Sequence, residues 1–289
     1  MDNKKSGILY AFSAYLIWGF LAAYWKIFSG IPALEIMAHR MFWAFCIVFA
    51  VLLMSGKVRG VADVFRNRNT RWRVIIRAAI LAVNWYTYIW AISNGYILEA
   101  SLGYYLNPLV SIFLGLIFLQ ERLSKLQWAA VGFAIAGVAL KTILVGMFPV
   151  IAVVLAFSFG LYGLMKKKST EGSFIGVASE TLVVLPFAAA YLLFSEITGP
   201  AHFVEASVWM KLLFATTGVV TVVPLFLFSK GTGRIPLIWI GFLQFIAPTL
   251  MMVFGIFMYH ETLTAFDLAG FAAVWVGILI FLLSFRKAY

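Results

Sequence analysis

The sequence predicts an all-α integral membrane protein with ten transmembrane helices, built as two inverted five-helix repeats with both termini cytoplasmic. Three observations carry that prediction. The 289 residues are 64% hydrophobic and 11% charged, with mean hydropathy +1.00, whereas a soluble domain has roughly 45–50% apolar and about 25% charged residues. The stretches 6–25, 78–98, 100–120, 142–165 and 235–260 contain no Asp, Glu, Lys or Arg. Each is near the ~20 residues a helix needs to cross ~30 Å of hydrocarbon. Lastly, residues recur in register between the two halves of the chain.

Helices are predicted, in order, at 7–28, 32–54, 74–92, 96–119, 125–143, 147–165, 173–195, 208–229, 235–258 and 264–285. The runs are long and continuously apolar, unlike the short alternating segments of a membrane barrel. The first run follows Lys4 and Lys5 but lacks a clear small-residue cleavage site, so it is taken as a span rather than a signal peptide. With the N-terminus inside, 18 of the 22 Lys and Arg fall on inner segments, seven of them between Lys57 and Arg77. The outer segment 196–207 carries Glu196 and Glu205 and no basic residue. This is positive-inside bias, and it accounts for the net charge of +11 without nucleic acid.

The repeat follows from an offset of 140 residues, which places Pro108 on Pro248, Gly115 on Gly255, Glu121 on Glu261 and Gly137 on Gly277. An offset of 141 puts Trp18 and Gly19 on Phe159 and Gly160, and His39 on Glu180. Two units result, 1–143 and 144–289. Five helices per unit is an odd number, so the second unit enters the membrane inverted, the arrangement of alternating-access transporters with a midplane site.

Polar residues inside the spans are the candidate site. In EIMAHR, Glu35 and His39 share a helix face, while Arg40 points about 100° away. Arg40 lies eight residues past Pro32, roughly 12 Å along the helix. A charge there costs ~2.5–3.5 kcal/mol on insertion scales, so it should face a polar cavity. It suits a carboxylate or phosphate; the alternative is pairing with helix carbonyls or with Glu180. The third helix offers Asn84, Trp85, Thr87 and Tyr88, and the fourth Ser101, Tyr104, Tyr105, Asn107 and Pro108. The ninth offers Gln244 and Pro248, and the eighth a weaker stripe of Thr217, Thr221 and Pro224. Pro108 and Pro248 each free a carbonyl one turn back, that of Tyr104 or Gln244, and are candidate hinges. The binding residues expected are Arg40, with His39 beside it, for an anionic group, and Trp85, Tyr88 and Tyr104 for an organic body. Asn84, Ser101, Asn107 and Gln244 would orient it. Glu35, His39 and Glu180 are the candidates for proton coupling.

Other signals are bland. The single cysteine, Cys46, is read as a core residue, His260–Glu261 lacks the spacing of a zinc helix, and no phosphate loop or Ser/His/Asp set is found. No cofactor, metal or enzymatic activity is expected; the partners expected are a small-molecule substrate, membrane lipid and protons.

The segments PALEIMAHR (32–40), NWYTYIWAISNGYILEASLGYYLNPL (84–109), SETL (179–182), GVVTVVPLFLF (218–228) and GFLQFIAPTL (241–250) resemble the RarD-type branch of the EamA family, in the drug/metabolite transporter superfamily. The resemblance runs over nearly the whole chain. It implies ten helices in an inverted repeat in a bacterial inner membrane, and secondary transport, as exporter or permease, of small metabolites or drugs. The branch is associated with chloramphenicol sensitivity. The matched polar positions include Glu35, His39, Arg40, Asn84, Trp85, Glu99, Ser101, Asn107, Glu180 and Gln244. The alternatives to a coupled transporter are an ion-independent facilitator or exchanger of amino acids or related metabolites and, more remotely, a non-transporting sensor or scaffold.

Overall fold

Apolar runs this long leave the backbone one solution in lipid, a helix that satisfies its own hydrogen bonds. The computed structural model describes residues 3–28, 30–94, 96–145, 149–199, 202–259 and 265–286, and no strand occurs among them. The first half contains α1 (Asn3–Trp25), a 3-10 turn (Lys26–Phe28), α2 (Ala33–Met54), α3 (Val58–Arg66), α4 (Arg68–Ser93), α5 (Ile97–Phe118) and α6 (Lys125–Val145). The second contains α7 (Val150–Lys167), α8 (Ser173–Thr198), α9 (Val208–Thr232), α10 (Leu237–Gln244), α11 (Ile246–Tyr259) and α12 (Ala265–Arg286). Among the described residues eight helical stretches are long and apolar enough to cross a membrane, and shorter apolar helices cover Lys125–Leu140 and Leu268–Ser284. Large apolar side chains such as Phe187, Ile117, Leu193 and Leu279 face outward. The chain is a multi-pass membrane protein.

Two elements depart from the sequence expectation. The segment 58–66, taken as loop, is the helix α3, which buries Val61 and Val64 and exposes its charges. It was missed because nine amphipathic residues are too few and too polar to read as a span. The ninth predicted helix is broken in two. Phe245 closes α10 with a long bond from its N–H to the Phe242 carbonyl (3.4 Å), and α11 begins at Ile246. Pro248, lacking an N–H, cannot carry the Gln244 carbonyl into a regular turn. Its counterpart Pro108 lies inside an unbroken α5.

Local signals set the helix ends. Ser207 accepts the Met210 N–H at 3.3 Å as the N-cap of α9. Glu121 reaches from beyond α5 to accept the Leu237 and Ile238 N–H groups at 2.7 and 2.9 Å, a carboxylate on the positive end of α10. Gly56 reverses the chain after α2 at φ +64°, the conformation that favours glycine there.

The packing is reciprocal between the halves. α1 packs on α9 and α11, and α7 on α4 and α5; α2 contacts both α8 and α9, and α8 contacts α2 and α4. α6 and α12 cross antiparallel through small residues: a Cβ on Gly137 would lie 2.6 Å from the Gly270 carbonyl oxygen, and one on Gly277 2.7 Å from that of Ala130. Backbones approach this closely only where side chains are absent. At the centre Trp18 packs edge-on against Phe159 (centroids 5.8 Å), and Phe228 and Tyr162 stack beside them. Loops 55–57, 168–172 and 233–236 mark one end of the bundle, the basic end; 30–32 and 202–207 mark the opposite end.

Candidate functional site

Arg40 is set on α2 by the unbroken turn from Pro32, and its side chain turns into the bundle, half-buried. Its Nε donates to Thr221 Oγ1 on α9 at 3.2 Å, and that hydroxyl donates on to the Thr217 carbonyl at 2.7 Å. The guanidinium carbon lies 4.5 Å from the ring centroid of Trp25 and 5.2 Å from that of Trp85, both within the cation–π range. Tyr24, Tyr88 and Tyr104 lie within electrostatic reach, and Tyr88 and Tyr104 meet edge to face at 5.4 Å. Among the described residues no carboxylate pairs with Arg40. Glu180, the acid the sequence offered for it, is engaged elsewhere. The result is a planar cation walled by aromatic faces.

The predicted orienting amides do not all join it. Asn84 Nδ2 donates to the Leu155 carbonyl (2.9 Å) and to Ser158 Oγ (2.8 Å) on α7. With its amide turned to donate, Asn107 reaches the carbonyls of Leu155 and Ala156 at 3.1 and 3.0 Å. Both amides therefore tie their helices to α7. Gln244 Oε1 accepts from Ser111 Oγ at 3.2 Å, joining α10 to α5 near buried Pro108 and Pro248. A Cβ on Gly241 would meet the Pro108 carbonyl oxygen at 2.7 Å, so the two proline-bearing elements cross there. Ser101 is exposed. The Glu99 side chain and His260–Glu261 lie outside the described residues.

Towards the basic end, a closed set of charges lies beyond Arg40. Arg77 on α4 donates from Nε to Glu180 Oε1 (2.8 Å) and from Nη2 to Glu171. Lys166 Nζ pairs with Glu180 Oε1 at 3.0 Å, and the Tyr162 hydroxyl donates to Glu180 Oε2 at 3.0 Å. All are buried to within a few per cent of exposure. Between this set and Arg40 is a void of about 20 Å³ touching Trp85, Thr221 and Glu180, room for about one water. Beyond the set opens a vestibule of about 600 Å³ lined by Lys57, Lys166, Lys167, Lys230 and Arg234.

At the opposite end Glu35, His39, Glu196 and His202 gather. Glu35 Oε2 meets His202 Nδ1 at 2.8 Å, rather than the His39 ring one turn on. His39 is 3% exposed, and neither of its ring nitrogens has a partner. Its imidazole packs against both Phe214 and Phe203, at centroid distances of 4.1 and 5.1 Å. Glu196 holds the loop above by accepting the Phe203 and Val204 N–H groups at 2.9 and 3.2 Å.

Sequence reasoning missed Trp25, Tyr24, His202, Glu171, Lys166 and Tyr162, and used Arg77 only as a topology marker. A signal for Arg77 existed: a charge entering the apolar run AAILAV calls for an acid from elsewhere.

The EamA-like transporter family model matches residues 5–143. An uncharacterized transporter, YojE, of Bacillus subtilis is 40% identical over 98% of this chain and 95% of its own. Protein RarD of Salmonella typhi is 40% identical over 98% of this chain and 97% of its own, and Protein RarD of Escherichia coli 38% over the same shares. A crystal structure of another protein matches with TM-score 0.73 over 95% of this chain and 96% of that one, at 20% identity, a likeness in fold alone.

Proposed function

Since the chain belongs to the EamA-like transporter family, in its RarD-type branch, we propose that it is a secondary transporter of small organic anions or zwitterions, working by alternating access around Arg40. The observation that carries this is the guanidinium at mid-helix between two indoles, with no carboxylate partner among the described residues. An uncompensated charge at this depth is costly, and a solute carboxylate or phosphate would compensate it by a bidentate pair. The solute's organic body would lie against Trp25, Trp85, Tyr88 and Tyr104.

We place the basic end in the cytoplasm of a bacterial inner membrane, following the lysine and arginine bias. The set Arg77–Glu171–Glu180–Lys166 then acts as the inner gate, between the vestibule and Arg40. Reciprocal packing of the halves, and the paired Gly137 and Gly277 crossings, support two inverted units that rock about α5 and α10/α11. Gln244 and Pro248 at the helix break are the hinge, while Asn84 and Asn107 fix α7. Of the coupling candidates, Glu35 and His39 lie outside that gate.

A second reading, an ion-independent facilitator or exchanger, gains from Glu180 being committed to the gate. A pH gradient that drives no accumulation decides for it. The first experiment is a thermal-shift screen of purified protein against carboxylates and phosphates beside their neutral amides or esters. Stabilisation by anions alone is expected; equal stabilisation by the neutral partners contradicts the role of Arg40.

A further inference from the structure

Buried imidazoles almost always find a hydrogen-bond partner, and each that does not needs an explanation. His39 has none at either ring nitrogen, and the neighbouring Glu35 Oε1 is likewise buried and unpartnered. One donor atom from each of Glu35, His39 and Glu196 lies within 4.8 Å of the other two. We propose that these three side chains form a binding site for a divalent transition metal of the Zn²⁺ type at the end of the bundle opposite the basic vestibule. This departs from the sequence expectation of no metal.

The donor set decides the class of ion. One imidazole nitrogen with two carboxylate oxygens suits Zn²⁺, Co²⁺, Ni²⁺ or Mn²⁺, while Ca²⁺ and Mg²⁺ favour all-oxygen shells. Bonds of ~2.0–2.2 Å require the three donors to draw in by roughly an ångström. Each can do so: Glu196 keeps free lone pairs after accepting two N–H bonds, Glu35 keeps Oε1, and His39 gives up no hydrogen bond. His202 stands outside the donor set and holds Glu35 through Oε2. Phe203 and Phe214 give the imidazole an apolar flank. Arg40 does not oppose the ion, because its guanidinium is held away against Trp25, Trp85 and Thr221.

The consequence is mechanical. Glu35 and His39 belong to α2, whereas Glu196 ends α8 and carries the loop residues Phe203 and Val204. A bound ion therefore ties α2 to α8 and fastens the loop over the opposite end.

The site rests on these side chains alone and not on the transport reading, so its test needs no transport. Full-length protein, with its affinity tag removed and treated with chelator, is titrated with Zn²⁺ by calorimetry, and with Co²⁺ by visible absorption. Expected are one ion per chain, d–d bands carrying imidazole ligation, and a weakening of at least about 10–100-fold in His39→Gln and Glu35→Gln. Glu205→Gln, on the same loop but outside the donor set, should bind as the wild type does. The proposal is overturned if wild-type protein takes up neither ion, or if His39→Gln and Glu35→Gln, eluting as monodisperse protein, bind as tightly as wild type.

Discussion

Two buried polar clusters cap the Arg40 site, and they are built on opposite terms. Towards the basic end, Arg77, Glu171, Glu180 and the Tyr162 hydroxyl are joined by hydrogen bonds, and Lys166 lies in ionic contact with Glu180. At the opposite end Glu35 holds His202, Glu196 is spent on the loop backbone, and a second, deeply buried histidine, His39, has no hydrogen bond among the described residues. By the internal offset His39 and Glu180 are equivalent positions, so the same place in each half has been filled by a saturated acid in one and an unsatisfied base in the other. Breaking a buried ion network leaves charges stranded, whereas removing a group with no bond strands nothing. One end is therefore fixed by pairing, and the other is left with unused donor capacity.

The largest effect should come from Arg77→Met. It leaves Glu171 buried without its cation and should cost about 3–5 kcal/mol, read as a fall in apparent melting temperature in detergent. Adding Glu171→Gln should recover part of that loss, and no recovery would mean that Arg77 acts by packing rather than charge. A smaller effect is expected of Glu35→Gln in chelator-treated protein, about 1 kcal/mol, since it weakens one hydrogen bond to a partly exposed His202. The smallest belongs to His39→Leu, also without metal. With no hydrogen bond to lose, it should change stability by less than about 1 kcal/mol. A loss as large as that of Arg77→Met would erase the contrast between the two ends.

Much of the fold was legible in the sequence because hydropathy over twenty residues is a one-dimensional signal. The positions of α2, α5 and α8 follow directly from it. The break at Phe245 was only half legible: proline marks the freed carbonyl, but identical prolines at 108 and 248 give a continuous α5 and an interrupted α10/α11. The residue itself therefore does not decide whether the helix breaks. Arg40 was found because a charge in an apolar helix is conspicuous. Trp85 was expected near it, but the bond from Arg40 to Thr221 was not, because Thr221 is 181 positions away and the sequence carries no record of which stripe faces which. Asn84 and Asn107 look like ligand groups on a helical wheel, yet both are spent on α7. Arg77 was absorbed into a run of topology-setting cations, and Glu171, in the five-residue connection between α7 and α8, has no periodicity to betray it.

The most direct measurement is counterflow uptake in proteoliposomes of an anion found by the thermal-shift screen, comparing wild type with Arg40→Lys and Arg40→Gln. Arg40→Gln should abolish uptake, and Arg40→Lys, which keeps the charge but loses the planar fork, should retain a fraction of it. Undiminished uptake by Arg40→Gln protein that folds and reconstitutes normally would contradict a substrate anion held at Arg40.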